Sequence, residues 1–164
     1  MHIRKAQEKD LPALLEIYNY EVVNGCATLD LNPRTMEEWQ AWYKAHNVDN
    51  HPLYVCIVDG KAAGYASLSQ YRLKEAYRST VELSIYVAPN HRREGLAAAM
   101  MEFLINEAKA DPSIHCVVSV ITSGNEASRA LHEKFGFEFC GTIREVGRKF
   151  GEYIGIDNYC LIVE

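Results

Sequence analysis

No run of apolar residues among these 164 positions approaches the roughly 18 in succession that a membrane-spanning helix needs. The opening MHIRKAQEKDL also has no apolar leader core, so the expected setting is the cytoplasm. Cysteine is sparse and unpatterned. Its five residues, Cys26, Cys56, Cys116, Cys140 and Cys160, include no C-x-x-C pair and no metal-ligand spacing with histidine. That argues against a metal site and favours reduced thiols packed inside. Basic charge is also short: 17 Lys and Arg stand against 22 Asp and Glu, for a net charge of −5. A broad phosphate-binding face is thereby set aside, although a small anion needs only local positive charge. The chain has no repeat, linker or low-complexity tract.

What remains is an ordinary globular composition, read as a single domain over 1–164. A chain of this size buries roughly 70% of its unfolded surface. HIRKA reads as a first strand, and Asp10 as the cap of a helix bearing Leu11, Leu14, Leu15, Tyr18 and Val22 at helical spacing until Asn24-Gly25. Thr35 and Glu38 have capping-box spacing ahead of Trp39, Trp42 and Tyr43. Two apolar stretches around Asp59-Gly60 predict a hairpin. In STVELSIYVAP, Val81, Leu83, Ile85 and Val87 alternate with Thr80, Glu82, Ser84 and Tyr86 until Pro89. A helix from Leu96 to Ala110 then leads to IHCVVSVI, a central strand expected to lie parallel to the one before it. Asn125 starts a last helix, which Gly136 ends. FEFCGTI and IDNYCLIV close the sheet, with REVGRKFGEYIG as the loop or hairpin between them. The sum is a mixed α/β (α+β) layer structure.

The segment NHRREGLAAAM carries the first chemical signal. A helix N-terminus presents unpaired N–H groups and a positive dipole end, and here arginines stand beside it. Gly95 lets an anion approach the main chain, while Ala97 and Ala98 keep the first turn free of bulk. The pattern is neither a P-loop nor a dinucleotide fingerprint.

Arg92-x-x-Gly95-x-Ala97 resembles the pyrophosphate loop of the GNAT N-acetyltransferase superfamily. TVELSIYVAPNHRREGLA, NEASRALHEKFGF and VGRKFGEYIGID, with the amino-terminal IRKAQEKDLPALLEIYN, are similar to blocks of its phosphinothricin acetyltransferase-like branch, which includes methionine sulfone and sulfoximine acetyltransferases. The resemblance implies the GNAT fold: a mostly antiparallel mixed sheet with one splayed parallel strand pair and helices on both faces. It implies acetyl-CoA as cosubstrate and no metal. The backbone of Ile85, Tyr86 and Val87 would meet the pantetheine arm and thioester, and Arg92, Arg93, Glu94, Gly95, Leu96, Ala97 and Ala98 would hold the pyrophosphate. Asn125 and Ser128 would contact the same ligand, with Asn125 also readable as a plain helix cap.

Glu82 stands on the polar face of the strand leading to the acetyl site, where a carboxylate can take the proton that an ammonium must lose before it attacks. The branch places its proposed general base at the matching position; a half-buried ion pair is the alternative. His132 follows Asn125 and Ser128 on one helical stripe, as an acid or auxiliary base or as a packed residue. Arg72, Lys74 and Arg78, with Tyr71 and Tyr77, precede the Glu82 strand and suit a substrate carboxylate. The chain departs from its branch at Tyr71, Lys74, Leu83, Tyr153 and Gly155, and Lys74 lacks the planar fork of the arginine found in phosphinothricin enzymes. The expected activity is acetyl transfer to the amine of a small amino acid or analogue by direct attack, in a homodimer that binds neither nucleic acid nor membrane. A protein or peptide acceptor and a non-catalytic acyl-CoA sensor are the alternatives.

Overall fold

The computed structural model describes residues 1–163. Its strands are β1 (His2–Lys5), β2 (Leu53–Val58), β3 (Lys61–Gln70), β4 (Thr80–Val87), β5 (Cys116–Thr122), β6 (Glu138–Lys149) and β7 (Glu152–Ile162). The α-helices are α1 (Leu11–Asn24), α2 (Met36–Lys44), α3 (Leu96–Ala110) and α4 (Glu126–Lys134). All the strands join one sheet in the order β1-β2-β3-β4-β5-β7-β6, in which only β4 and β5 run parallel. This is the expected mixed sheet.

Period-2 alternation sorts side chains onto two cores. Leu53, Val55, Ile57 and Tyr65 pack with Leu11, Leu14 and Ile17 of α1 and Trp39 of α2. On the opposite face Cys56, Leu68, Val81 and Leu83 pack with Met100, Met101 and Leu104 of α3. Thr35 and Glu38 form the predicted capping box at α2, and Asp59 and Gly60 both take positive φ in the β2–β3 hairpin.

Two expectations are corrected. Asp10 precedes α1 but makes no side-chain cap; its carboxylate takes both Arg4 guanidinium nitrogens at 2.8 and 2.9 Å and the Gln7 N–H at 2.8 Å. Of the loop or hairpin expected over REVGRKFGEYIG, the hairpin forms: β6 runs to Lys149 and turns at Phe150-Gly151, with register shifts at Phe139/Gly141 and Ile143/Gly147 absorbing its irregular pattern. The thiols are not all interior. Cys56 is buried, but Cys140 is exposed and its Sγ lies 3.2 Å from that of Cys160 on the neighbouring strand, a proximity that 19 intervening residues hide.

The Arg4 hydrogen bond, against the opposing effect of burial, holds the Asp10 carboxyl below its ordinary value. A folded-state pKa below the unfolded one stabilises the fold above the unfolded value, and the contribution is lost as pH falls through the folded value. Asp10→Asn is expected to reduce stability by about 1–3 kcal/mol at neutral pH. Denaturant titrations should show this difference shrink as pH falls below roughly 4.

Candidate active site

Three residue pairs join β4 to β5: Thr80 with Cys116, Val81 with Val117 and Glu82 with Val118. Beyond them β4 continues to Val87 against β3 alone, while β5 continues to Thr122 against β7. The strands part there. Backbone groups of Ile85, Tyr86 and Val87 on the β5 side therefore lie on an open edge that a ladder would otherwise use.

The gap points toward the start of α3. Gly95 is its N-cap at φ 80°, with no side chain capping the helix, and Arg93 also has a positive φ of 64°. The first helical bond is Ala99 N–H to Gly95 C=O at 3.1 Å. Among the described residues, the N–H groups of Leu96, Ala97 and Ala98 have no backbone acceptor. Such a run of free amides is an anion receptor. Arg92 is tethered beside it, its Nη2 at 3.2 Å from Glu21 Oε2 and its guanidinium 5.7 Å from the Tyr20 ring centre. Arg93 is exposed, and Glu94 pairs with His91 at 3.0 Å.

On α4, Asn125 Oδ1 accepts the Ser128 N–H at 3.1 Å, so it caps the helix. His132, expected as an acid or auxiliary base or as a packed residue, is packed. It is 4% exposed, with Nδ1 at 2.7 Å from Ser128 C=O and Nε2 at 2.6 Å from Ser119 Oγ. Because a carbonyl only accepts, the proton sits on Nδ1; burial lowers the ring's pKa and keeps Nε2 bare.

Glu82 opens instead onto a cavity of about 390 Å³ on the α1–α2 face of the sheet. Ser67, Ser69, Ser84 and Tyr86 share its floor, and Tyr18, Asp30, Arg34, Glu38, Trp39 and Trp42 wall it. Its aromatic side is rigid: Trp39 stacks on Tyr18 at 5.2 Å and on Trp42 at 4.2 Å, with Tyr65 edge-on at 6.0 Å. Arg34 lies 2.9 Å from Asp30 and 4.0 Å from Glu38, so two of the three wall and floor carboxylates share one cation. Glu82 has none. Burial alone raises its pKa, with no neighbouring cation or donor offsetting it. The cavity therefore presents to an incoming cation a carboxylate that has no cation partner of its own.

Arg72, Lys74, Tyr77 and Arg78 do not line this cavity. The first three lie on or beside an exposed turn, where Arg72 stands over the rings of Tyr71 and Tyr77 at 5.1 and 5.7 Å. Their nearness to Glu82 in sequence is undone because β4 starts at Thr80 and leads away from the turn. Of the residues that do wall the cavity, Tyr18, Trp39 and Trp42 read in sequence as helix faces, and Asp30 and Arg34 carry no signal there. Only the spacing of the two tryptophans, on one side of a short helix, hinted at a shared aromatic wall.

A parted parallel pair that ends at an anion-binding helix start, with a carboxylate-bearing cavity alongside, defines an acyl-carrier-dependent transferase. Residues 3–157 match the family described as Acetyltransferase (GNAT) domain, and the chain belongs to it. The L-methionine sulfoximine/L-methionine sulfone acetyltransferase of Pseudomonas paraeruginosa is 39% identical over 155 residues, 94% of this chain and 90% of that one. The structure of a ribosomal-protein-alanine N-acetyltransferase from Brucella melitensis aligns with a TM-score of 0.96 at 39% identity, over 99% of this chain and 100% of that one. A phosphinothricin acetyltransferase from Sinorhizobium meliloti, solved with acetyl-CoA, aligns at 0.95 and 30% identity, over 99% and 88%. Among the described residues no cluster of three or more His, Cys, Asp or Glu is arranged for a metal, and no helix is long and apolar enough to cross a membrane.

A Cβ at Gly95 meets nothing within 4 Å, so its left-handed φ is the sole obstacle to a side chain. Gly95→Ala is expected to lower stability by about 1–2 kcal/mol, and Gly95→Asn by less, because Asn tolerates this conformation. Thermal unfolding checks this; equal melting temperatures for all three proteins rule out a need for the left-handed cap.

Proposed function

We propose that this protein transfers the acetyl group of acetyl-CoA to the amine of a small amino acid or amino-acid analogue, by direct attack in a ternary complex. The observation that carries the reading is Glu82: a half-buried carboxylate without a cation, at the last residue before β4 leaves β5. Acetyl-CoA supplies an acyl group already activated as a thioester. The residues present fit that ligand: the Leu96–Ala98 amides, with Arg93 beside them, suit the diphosphate, and the open edge of Ile85–Val87 suits the amide-bearing arm.

Glu82 holds the ammonium in the cavity and takes its proton, which frees the nitrogen lone pair. A β4 backbone N–H aimed into the gap stabilises negative charge that develops on the acyl oxygen. Asn125 and Ser128 border the carrier at the start of α4. The aromatic wall of Trp39, Trp42 and Tyr65 receives the acceptor's side chain, and the cavity's volume suits one amino acid. The sulfoximine and phosphinothricin relatives support that acceptor class. The Brucella neighbour favours a second reading, acetylation of a protein amino terminus. Exposed Phe139, Ile143, Val146, Phe150 and Tyr153 on β6, β7 and the turn between them support a homodimer, and the five free cysteines suit a cytoplasmic setting.

Acetyl transfer to free amino acids, methionine sulfone, methionine sulfoximine and phosphinothricin, with alanine-start peptides beside them, separates these readings. Turnover confined to peptides overturns the first, and binding of acetyl-CoA without turnover on any amine indicates a sensor. Glu82→Gln is expected to lower kcat by about 10²–10⁴-fold. Because the base must be ionised and burial raises its pKa, the wild-type kcat/KM should rise with pH through a limb above the ordinary carboxylate range, roughly 4.3. The variant should lack that limb and recover partly at high pH; an unchanged profile removes Glu82 as base. Light scattering after size exclusion should give the mass of two chains, and Val146→Asp that of one.

A further inference from the structure

One serine on the cavity floor is unlike the other two. Ser69 Oγ lies 2.7 Å from Nε2 of His46, whose Nδ1 lies 2.8 Å from the carbonyl of Trp42. The carbonyl can only accept, so Nδ1 carries the ring proton. His46 is 6% exposed, and burial pushes its pKa down, which leaves the ring neutral and Nε2 a bare lone pair. Its plane is held by Trp42, with ring centres 4.3 Å apart. The Ser69 hydroxyl must therefore be the donor in this pair. A free serine rotates and offers either a proton or a lone pair; this one has its proton committed to His46 and presents only oxygen lone pairs elsewhere.

Ser69 stands directly across from Glu82 in the β3–β4 register. Residues so placed have Cβ atoms roughly 4.5–5.5 Å apart, and both line the cavity. An ammonium brings three N–H donors, of which one carboxylate engages only part. We propose that Ser69 is an amine-binding residue, taking a second N–H of the acceptor beside Glu82, and that His46 is the positioning residue that fixes the Ser69 hydroxyl as an acceptor. When Glu82 removes one proton, the N–H still held by Ser69 keeps the amine in the cavity beside the parted strands. This rests on the acetyl-transfer reading of the cavity.

The molecule contains its own comparison. His132 and Ser119 repeat the arrangement on the other side of the sheet, with the ring again donating to the carbonyl four residues back. There the serine is 2% exposed and lines no cavity wall beside Glu82. The shared pattern is a way of anchoring a helix end to a strand; only at His46 does the anchored hydroxyl face the acceptor site.

Steady-state kinetics with L-methionine sulfone as varied acceptor test the assignment. Ser69→Ala is expected to raise the acceptor KM about tenfold, the loss of one hydrogen bond to a charged group, while the KM for acetyl-CoA stays within twofold. Ser69→Thr, which keeps the hydroxyl, should restore most of the loss. His46→Phe, which keeps a ring against Trp42, should match Ser69→Ala, and the double variant should be no worse than either single one. Acceptor kinetics within twofold of wild type in Ser69→Ala, or effects that multiply in the double variant, overturn the proposal. If His46→Phe does not fold, Ser69→Ala and Ser69→Thr decide alone. If the wild type acetylates no amine, the acetyl-transfer reading fails separately. Calorimetry with methionine sulfone then judges Ser69, whose role is refuted if wild type and Ser69→Ala bind alike, including not at all.

Discussion

Everything chemical in this protein depends on two parallel strands ceasing to pair. Up to Glu82 and Val118 the sheet is continuous; beyond them β4 and β5 each keep one partner, and the backbone between is left for a ligand. Parallel pairing requires a crossover, and α3 supplies it, so the same connection that makes the strands parallel sets a helix N-terminus at the end of the gap. Opening and anion receptor are thus two products of one topological choice. The buried Met100, Met101 and Leu104 of α3 hold that receptor against the sheet.

Charge decides what the neighbouring cavity can accept. Arg34 is occupied by Asp30 and Glu38, and Tyr18 donates to Asp30, its own pKa pushed up to about 12 chiefly by burial. That cluster offsets part of the negative charge on the α1–α2 wall. Glu82 is left as the carboxylate without a counter-ion, and a desolvated carboxylate is costly until a cation arrives. The aromatic rings lower the local dielectric, which strengthens that pull. The stability given up at Glu82 is small beside what two full cores contribute, and it is concentrated where an ammonium would be neutralised.

The parts of this design that could be read from the chain are those with local causes. The alternation of Val81 and Leu83 with Glu82 and Ser84 identified the faces of β4, because one residue step reverses a strand's side chains. The loop at Arg92–Ala98 was legible because a helix start with glycine and no capping side chain is a local signature. The cavity wall was not. Trp39, Trp42 and Tyr18 have helical spacing that serves a core equally well, and their convergence on β3 and β4 depends on how α1 and α2 dock. Proximity in sequence does not give proximity in the fold: Arg72 and Lys74 lie close to Glu82 along the chain, yet they sit on an exposed turn before Thr80 and do not line the cavity. His132 was placed on the right helix, but only its contacts with Ser128 and Ser119 reveal which nitrogen holds the proton.

The breaks in β6 bear on how the molecule tolerates its own long border. At twelve residues and with partners on one side only, this edge strand offers a template onto which further chains could add without limit. The extra residue at Cys140 and the offset between Ile143 and Gly147, where Glu145 turns to φ 54°, cut that template into short pieces. Side chains such as Val146 remain exposed, while runaway fibre growth by backbone addition is denied a straight track.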